Sequence, residues 1–110
     1  MMIVYKVYLI ENHQKFNAEL RLNCNGFELT SENHSNVIDC RWSKIVLISI
    51  IRSNLNIEIK TNDQCYLLIM FRKLSHFQSF LNIFCLLRPK IIGHYYDNEP
   101  DHLQYYQRNH

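Results

Sequence analysis

Glycine and proline are scarce in this chain, with two of each among 110 residues. The two glycines, Gly26 and Gly93, are far apart, so no glycine-rich loop is present to hold a phosphate group. No Gly-x-Ser-x-Gly sequence positions a nucleophilic serine. We therefore expect a non-catalytic protein that needs no cofactor. A small enzyme that uses a cysteine and a histidine stays as the least favoured alternative.

The chain also lacks an excess of charge and a long apolar run. Its 12 basic and 10 acidic residues give a formal net charge of +2, which is too balanced to predict nucleic-acid binding. The longest apolar run, residues 45–51, is far shorter than the ~18–20 residues of a membrane-spanning helix. Residues 1–10 carry Lys6 and no small-residue cleavage site, so we expect no signal peptide and a cytoplasmic protein.

The four cysteines are far apart in sequence and include no Cys-x-x-Cys pair. Each lies within or beside an apolar segment, so we predict that they are reduced and mostly buried. Six histidines are present, and His94 and His102 lie near acidic residues of the C-terminal segment. Their spacing does not match a structural zinc site, and we expect no metal.

Residues 73–88 predict the element around which the fold is organised. Large apolar side chains recur every three or four residues from Leu74 to Phe84, which places them on one face of a helix. Pro89 ends this helix, because proline disfavours helical geometry in the residue before it. The segments before the helix are typical of strands, so we expect its apolar face to pack on a sheet.

Residues 2–71 contain six or seven short segments that are typical of antiparallel strands. The clearest, residues 16–24, alternates apolar and polar side chains, as expected for a half-buried strand. Asn25-Gly26 follows and predicts a tight hairpin turn. Residues 45–52 are almost continuously apolar and predict a central strand. The predicted core consists of Leu20, Leu22, Phe27, Ile45, Leu47, Ile57, Ile59, Leu67, Ile69, Phe77, Leu81 and Phe84.

The C-terminal segment differs from the rest of the chain in being polar, rich in tyrosine and without sustained periodicity. We divide the chain into a domain of residues 1–89 and a tail of residues 90–110, which we predict to be partly disordered. A short helix around residues 101–107 is the alternative. The tail carries more tyrosine than a purely solvated segment needs, and tyrosine is favoured at protein interfaces.

A strand meander followed by one amphipathic helix resembles the pleckstrin-homology (PH) superfold. The local sequence is similar to the bacterial PH-like domains of the YcxB-like family, and more distantly to GRAM domains. The resemblance implies an α+β fold, namely an antiparallel β-barrel of six or seven strands capped by one C-terminal helix. It covers about residues 16–87 and is carried by Leu20, Leu22, Asn25-Gly26-Phe27, Trp42, Ile45, Ile57, Ile59, residues 67–73, Phe77, Phe80 and Leu87.

The chain departs from that family in two ways, and both concern membranes or lipids. We expect no membrane-spanning helix ahead of the domain, and Phe71-Arg72-Lys73 stands where the family tends to carry proline and lysine. PH domains that bind phosphoinositides gather several cations in the first loop, whereas residues 11–15 include one lysine. A peripheral membrane or lipid-binding role is therefore the second candidate. The remaining cations, Arg41, Lys44, Arg72 and Lys73, predict at most a weak basic rim.

The leading hypothesis is protein recognition, in which the partner is another protein or a second copy of the chain. The docking surface is then an open sheet edge, which offers unpaired backbone groups, or the tyrosine-rich tail. Trp42 is a candidate anchor for the partner, and a position in the core or barrel rim is its alternative. The candidate partner-binding residues are Trp42, Tyr95, Tyr96, Tyr105 and Tyr106.

Overall fold

The computed structural model describes residues 2–87 and 92–98. Within these residues, seven antiparallel strands form a curled half-barrel sheet and one helix follows, which confirms the predicted PH-like α+β arrangement. The strands are β1 (Ile3–Glu11), β2 (Gln14–Asn23), β3 (Gly26–Ser31), β4 (Ile38–Arg41), β5 (Ile45–Ile51), β6 (Asn56–Thr61) and β7 (Tyr66–Phe71), and the helix is α1 (Leu74–Leu87).

Strand β1 holds the sheet together, because it joins two meanders of consecutive strands. It pairs with β2 from Ile3 opposite Leu22 to Glu11 opposite Gln14, and with β7 through residues 7–9. The strand order is β4-β3-β2-β1-β7-β6-β5, and an eighth strand, β8 (Ile92–Tyr96), adds parallel to β5. Strand β8 was not predicted from the sequence, since its residues were assigned to the tail.

The core lies between the concave face of the sheet and α1, and aromatic side chains fill it. The Phe80 ring is fully buried and lies 5.3 Å from that of Phe71 and 6.3 Å from those of Tyr5 and Phe27, measured between ring centroids. Burying one such side chain contributes roughly 1.5–3 kcal/mol. Among the described residues, no helix combines the length and the apolar character needed to cross a bilayer.

Most of the predicted core is confirmed, but Leu47 is an exception. Ten of the other residues are buried, and Leu81 is half-buried against the same cluster. Leu47 is only half-buried and lies outside the cluster. The pairing of β5 with β6 shifts between Ile45 and Leu47, and such an irregularity changes the alternation on which the prediction depended.

A hairpin turn joins β2 and β3 as predicted, but its two loop residues are Cys24 and Asn25, one position before the predicted Asn25-Gly26. The side chain of Asn23 accepts hydrogen bonds from the backbone N–H groups of Asn25 (2.8 Å) and Gly26 (3.1 Å). Gly26 opens β3 and lies against β4. A Cβ atom at this position would overlap the carbonyl oxygen of Cys40 and lie 2.7 Å from Cα of Arg41, so glycine is required here.

The cysteines are free, but they are less buried than predicted. Cys40 is buried and Cys65 is half-buried, whereas Cys24 and Cys85 are exposed. Cys24 is exposed because it lies in the hairpin turn, and Cys85 because it lies on the solvent face of α1. The apolar segments around them do not report the direction in which each side chain points.

Candidate functional site

The sheet ends differently at its two sides. Strand β5 pairs with β6 on one side and with β8 on the other. Strand β4 pairs with β3, and within residues 2–87 and 92–98 no strand pairs with its other side. We call this unpaired side of Ile38–Arg41 the β4 edge. Because unpaired edges carry free N–H and C=O groups, the β4 edge is the candidate site.

The backbone groups of Asp39 point out from the β4 edge. The N–H of Trp42 donates to the carbonyl of Asn25 over 3.0 Å, which continues the β3–β4 register by one residue. Hydrogen-bonded and non-hydrogen-bonded pairs alternate along an antiparallel ladder. Cys40 opposite Phe27 is therefore a hydrogen-bonded pair, and Asp39 opposite Glu28 is not. The N–H and C=O of Asp39, and the N–H of Arg41, consequently point away from β3.

The side chains along this edge carry both signs of charge. Asp39 and Arg41 are exposed on the convex face of the sheet, and Cys40 between them points into the core. Asp39 lies opposite Glu28 on β3, and Arg41 lies opposite Gly26. Asp39 thus faces a like charge and Arg41 faces no side chain. Within the described part of the chain, neither residue makes an ion pair.

Trp42 follows β4 but does not reach the surface. It begins a 3-10 turn, Trp42–Lys44, and the residue is 6% exposed. The ring packs edge-on against Phe84 at 5.4 Å and lies 6.0 Å from Phe27. The structure therefore matches the alternative interpretation of Trp42 as a core residue, and its indole offers no surface to a partner.

The four cations of the predicted basic rim lie in two separate places. Arg41 and Lys44 flank Trp42, and the Lys44 ammonium is 3.9 Å from Asp63. Arg72 and Lys73 follow β7, where the Arg72 guanidinium lies 4.3 Å from the ring centroid of Tyr8 and donates to Asn17 at 2.7 Å. The described contacts of the two pairs share no residue, so the cations do not converge on one anion.

A polar groove of about 640 Å³ crosses β1, β2 and β3 on the convex face. The charged groups in it already have hydrogen-bond partners within the described residues. Glu19 accepts from Lys6 (2.8 Å) and Arg21 (3.0 Å), and these hydrogen bonds hold the pKa of its carboxyl below the usual value. Glu32 accepts from the backbone N–H of Asn17 at 2.8 Å. The groove therefore leaves little unpaired charge for a ligand.

The first loop, residues 11–15, is a tight turn. In lipid-binding PH domains, which the sequence resembles, the corresponding loop binds the phosphates. Asn12 and His13 have left-handed φ angles of 52° and 66°. Glu11 at its base contacts His34 at 2.7 Å. Lys15 points its ammonium at the Tyr8 ring, 5.7 Å from the centroid. These contacts do not bring several cations together, so they do not favour a lipid-phosphate site.

The two less exposed cysteines have thiols that resist ionisation. Burial raises the pKa of Cys40 from 9.0 to about 12, and burial also raises the pKa of Cys65. A nucleophilic cysteine needs the opposite shift, because the thiolate is the reactive form. Neither side chain is therefore suited to covalent catalysis.

Two of the four tyrosines of the tail lie within the described residues. Tyr95 and Tyr96 lie on β8, opposite Ile50 and Ile51 of β5. Tyr105 and Tyr106 lie outside the described residues, as do Glu99, Asp101 and His102. Within residues 2–87 and 92–98, no three His, Cys, Asp or Glu side chains come together as metal ligands do.

Asp39 was not predicted as a site residue. The sequence predicted the strand and an open edge, but pairing partners decide which strand is last in the sheet. The available signal was the alternation of Asp39, Cys40 and Arg41, which puts opposite charges on one face of a very short strand.

No protein-family model matches the chain, and the comparison with curated proteins returns no match. The resemblance to the YcxB-like family therefore stays a prediction. A function for this chain has to be inferred from its fold and from the β4 edge.

Proposed function

We propose that this protein is a non-catalytic recognition module that binds an extended protein segment at the β4 edge. The observation that carries the proposal is the set of outward-facing backbone groups of Asp39 and Arg41, which have no backbone partner within the described residues. A strand added there would continue the sheet beyond β4. Its main-chain hydrogen bonds would supply affinity, and alternate side chains would supply specificity.

The charges on the edge favour an ordered partner over indiscriminate pairing. Charged residues on an edge strand ordinarily prevent association, because a second strand with like charges is repelled. Asp39 and Arg41 have opposite signs and project from the same face. A partner strand that places a cation opposite Asp39 and an anion opposite Arg41 is therefore selected by cross-strand attraction.

The test compares wild-type protein with the variant Asp39→Pro as baits. Proline removes the outward N–H of Asp39 and keeps the ladder between β3 and β4, because that N–H does not point toward β3. Each captured protein is then purified and titrated against both baits. We expect the partner to bind wild type, to slow amide exchange of Asp39 and Arg41, and to bind Asp39→Pro at least about tenfold more weakly.

The control variant is Lys73→Pro, because Lys73 is exposed and belongs to no strand. The stability of both proline variants is measured as well, so that binding is compared only between folded proteins. Equal affinity of every purified partner for wild type and Asp39→Pro would contradict the proposal, as would protection from exchange on another surface alone.

A further inference from the structure

We propose that the partner at the β4 edge is a second copy of this chain, paired antiparallel about a two-fold axis through Cys40. The inference rests on the proposed function, because it names the partner of the same edge. Two features carry it: the order of charges on β4, and the small number of registers that a symmetric pair of strands can take.

Symmetry limits how β4 can pair with itself. Residues directly opposite each other in an antiparallel pair project from the same face of the sheet. Successive residues of one strand project from opposite faces. A strand that continues the sheet with a copy of itself must therefore place the two-fold axis through a residue, and Ile38–Arg41 offers four positions for it.

Only one of these positions pairs opposite charges. With the axis at Asp39 or at Arg41, that residue faces its own copy, and like charges meet. With the axis at Ile38, Asp39 faces Val37 of the second copy and no ion pair forms within the strand. With the axis at Cys40, Asp39 of each copy faces Arg41 of the other, so two opposite-charge pairs form.

The same register uses the backbone groups that are unpaired in one copy. Asp39 and Arg41 both point N–H groups out from the edge, and in this register they form a hydrogen-bonded pair in each half of the interface. Cys40 of the two copies then forms the central non-hydrogen-bonded pair. The interface needs no change in the β3–β4 ladder.

Electrostatics inside one copy favour this partner. Asp39 faces Glu28 across β3, and like charges directly opposite each other are destabilising. The arginine of a second copy would lie on the other side of Asp39 and offset that repulsion. Arg41 faces Gly26 and has no ion pair within the described residues, so it is available for the role.

The test is a charge exchange followed by size exclusion with light scattering at low ionic strength. Asp39→Arg gives a β4 strand with two arginines, and Arg41→Asp gives one with two aspartates. Each variant alone opposes like charges, so we expect at least about a tenfold loss of self-association. An equimolar mixture of the two restores both pairs, and so does the double variant Asp39→Arg/Arg41→Asp. Lys73→Asp is the control for a charge reversal away from the edge.

The inference predicts a wild-type dimer that weakens as salt is added, monomeric single variants, and dimers in the mixture and in the double variant. Circular dichroism shows whether each variant is folded. If one single variant does not fold, the double variant still tests whether the exchanged charges support a dimer. A wild type that stays monomeric at the highest concentration overturns the inference, and so does a mixture that does not associate.

The two proposals fail in distinguishable ways. If the wild type is monomeric but another purified protein loses affinity for Asp39→Pro, the second copy is excluded and the recognition edge stands. If Asp39→Pro changes neither self-association nor the binding of any purified partner, both proposals fall.

Discussion

The two sides of the sheet differ: an apolar strand, β5, is covered by another strand, and a charged strand, β4, is left unpaired by the described residues. Strand β5 reads Ile-Val-Leu-Ile-Ser-Ile-Ile, and the chain returns after α1 to cover it with β8. Strand β4 has four residues, two of them charged, and its edge is left unpaired by the described residues. A long apolar edge promotes aggregation when it is open, whereas a short charged edge is tolerated.

The side chains of each outer strand therefore match its pairing: the apolar strand is covered, and the charged strand is left unpaired by the described residues. Gly93 on β8 comes so close to β5 that a Cβ atom there would overlap Cδ1 of Leu47. The N–H of Ser53 donates to the carbonyl of Asp97 at 2.9 Å and extends the contact beyond β8. The covered edge is thus a packed part of the fold, whereas the described residues leave the β4 edge unpaired.

The largest expected effect concerns the N–H groups of β4, which point toward β3 at Cys40 and away from it at Asp39. Cys40→Pro removes an N–H that bonds β3 and leaves its acceptor unpaired, which costs about 1–3 kcal/mol in the free energy of unfolding, and the steric strain of the ring adds to that loss. Asp39→Pro removes an outward N–H, so its stability should stay within about 1 kcal/mol of wild type. Urea denaturation measures both, and Cys40→Ala corrects for the lost thiol. Equal losses for the two prolines would show that the assignment of inner and outer groups is wrong.

A second prediction concerns the glycines that lie against each edge strand. Gly26→Ala places a methyl group on the backbone of Cys40, which cannot move without disturbing β4, so we expect a loss of about 1–3 kcal/mol. Gly93→Ala meets only the end of the Leu47 side chain, which can change rotamer, and should cost less. The comparison is made by thermal and urea unfolding. A larger cost at Gly93 than at Gly26 would contradict this difference between the two edges.

Removal of the strand on the covered edge gives a smaller but local effect. A chain of residues 1–89 lacks β8, and we expect it to keep β1–β7 and α1 while the Ser53 amide loses its partner and exchanges faster. This shorter chain also exposes the apolar edge of β5, at which copies can associate, so persistence of the β4 interface is identified by slow exchange of the Asp39 and Arg41 amides. Amide exchange by NMR and light scattering are the measurements. Loss of self-association with an intact fold would place the interface in the C-terminal residues, as the tyrosine hypothesis holds.

The pH dependence of stability tests the burial of Cys40 on the inner face of β4, and its size depends on how far the pH is raised. The pKa of Cys40 is raised to about 12, so its thiol stays neutral in the folded protein when the unfolded chain ionises near 9. Fewer protons are then bound to the unfolded state, and stability falls as pH rises between those values, by at most about 1.4 kcal/mol per pH unit. Cys40→Ala should lose less stability over that range.

The same burial predicts which thiols react first. At mildly alkaline pH, the exposed Cys24 and Cys85 should be alkylated well before Cys40. Mass spectrometry of the digested protein follows each site over time. Alkylation of Cys40 at the rate of Cys24 would mean that the inner face of β4 opens readily.

Alternation and helical spacing were enough to predict most of this fold. The strands β1–β7, the helix α1 and ten buried core residues follow from side chains that repeat every two or every three to four residues. Leu47 was wrongly predicted to be in the core because an irregular pairing interrupts the alternation of β5. Strand β8 escaped because Ile-Gly-His-Tyr-Tyr has no apolar alternation and its partner lies more than forty positions earlier in the chain.

The candidate site was less accessible to sequence reasoning than the fold. An open edge was predicted, but the strand that carries it depends on long-range pairing. Trp42 had two interpretations, and only its contacts with Phe27 and Phe84 separate them. The backbone direction at Asp39 depends on one hydrogen bond, from Trp42 to Asn25, that no local pattern encodes.

The most direct test of the open β4 edge is residue-resolved amide exchange of the wild-type protein at two concentrations. At low concentration, we predict slow exchange at Ile38 and Cys40, which bond β3, and fast exchange at Asp39 and Arg41. At high concentration, Asp39 and Arg41 should become protected while the rest of the sheet is unchanged. Protection of Asp39 and Arg41 that is already complete at low concentration would contradict an open edge.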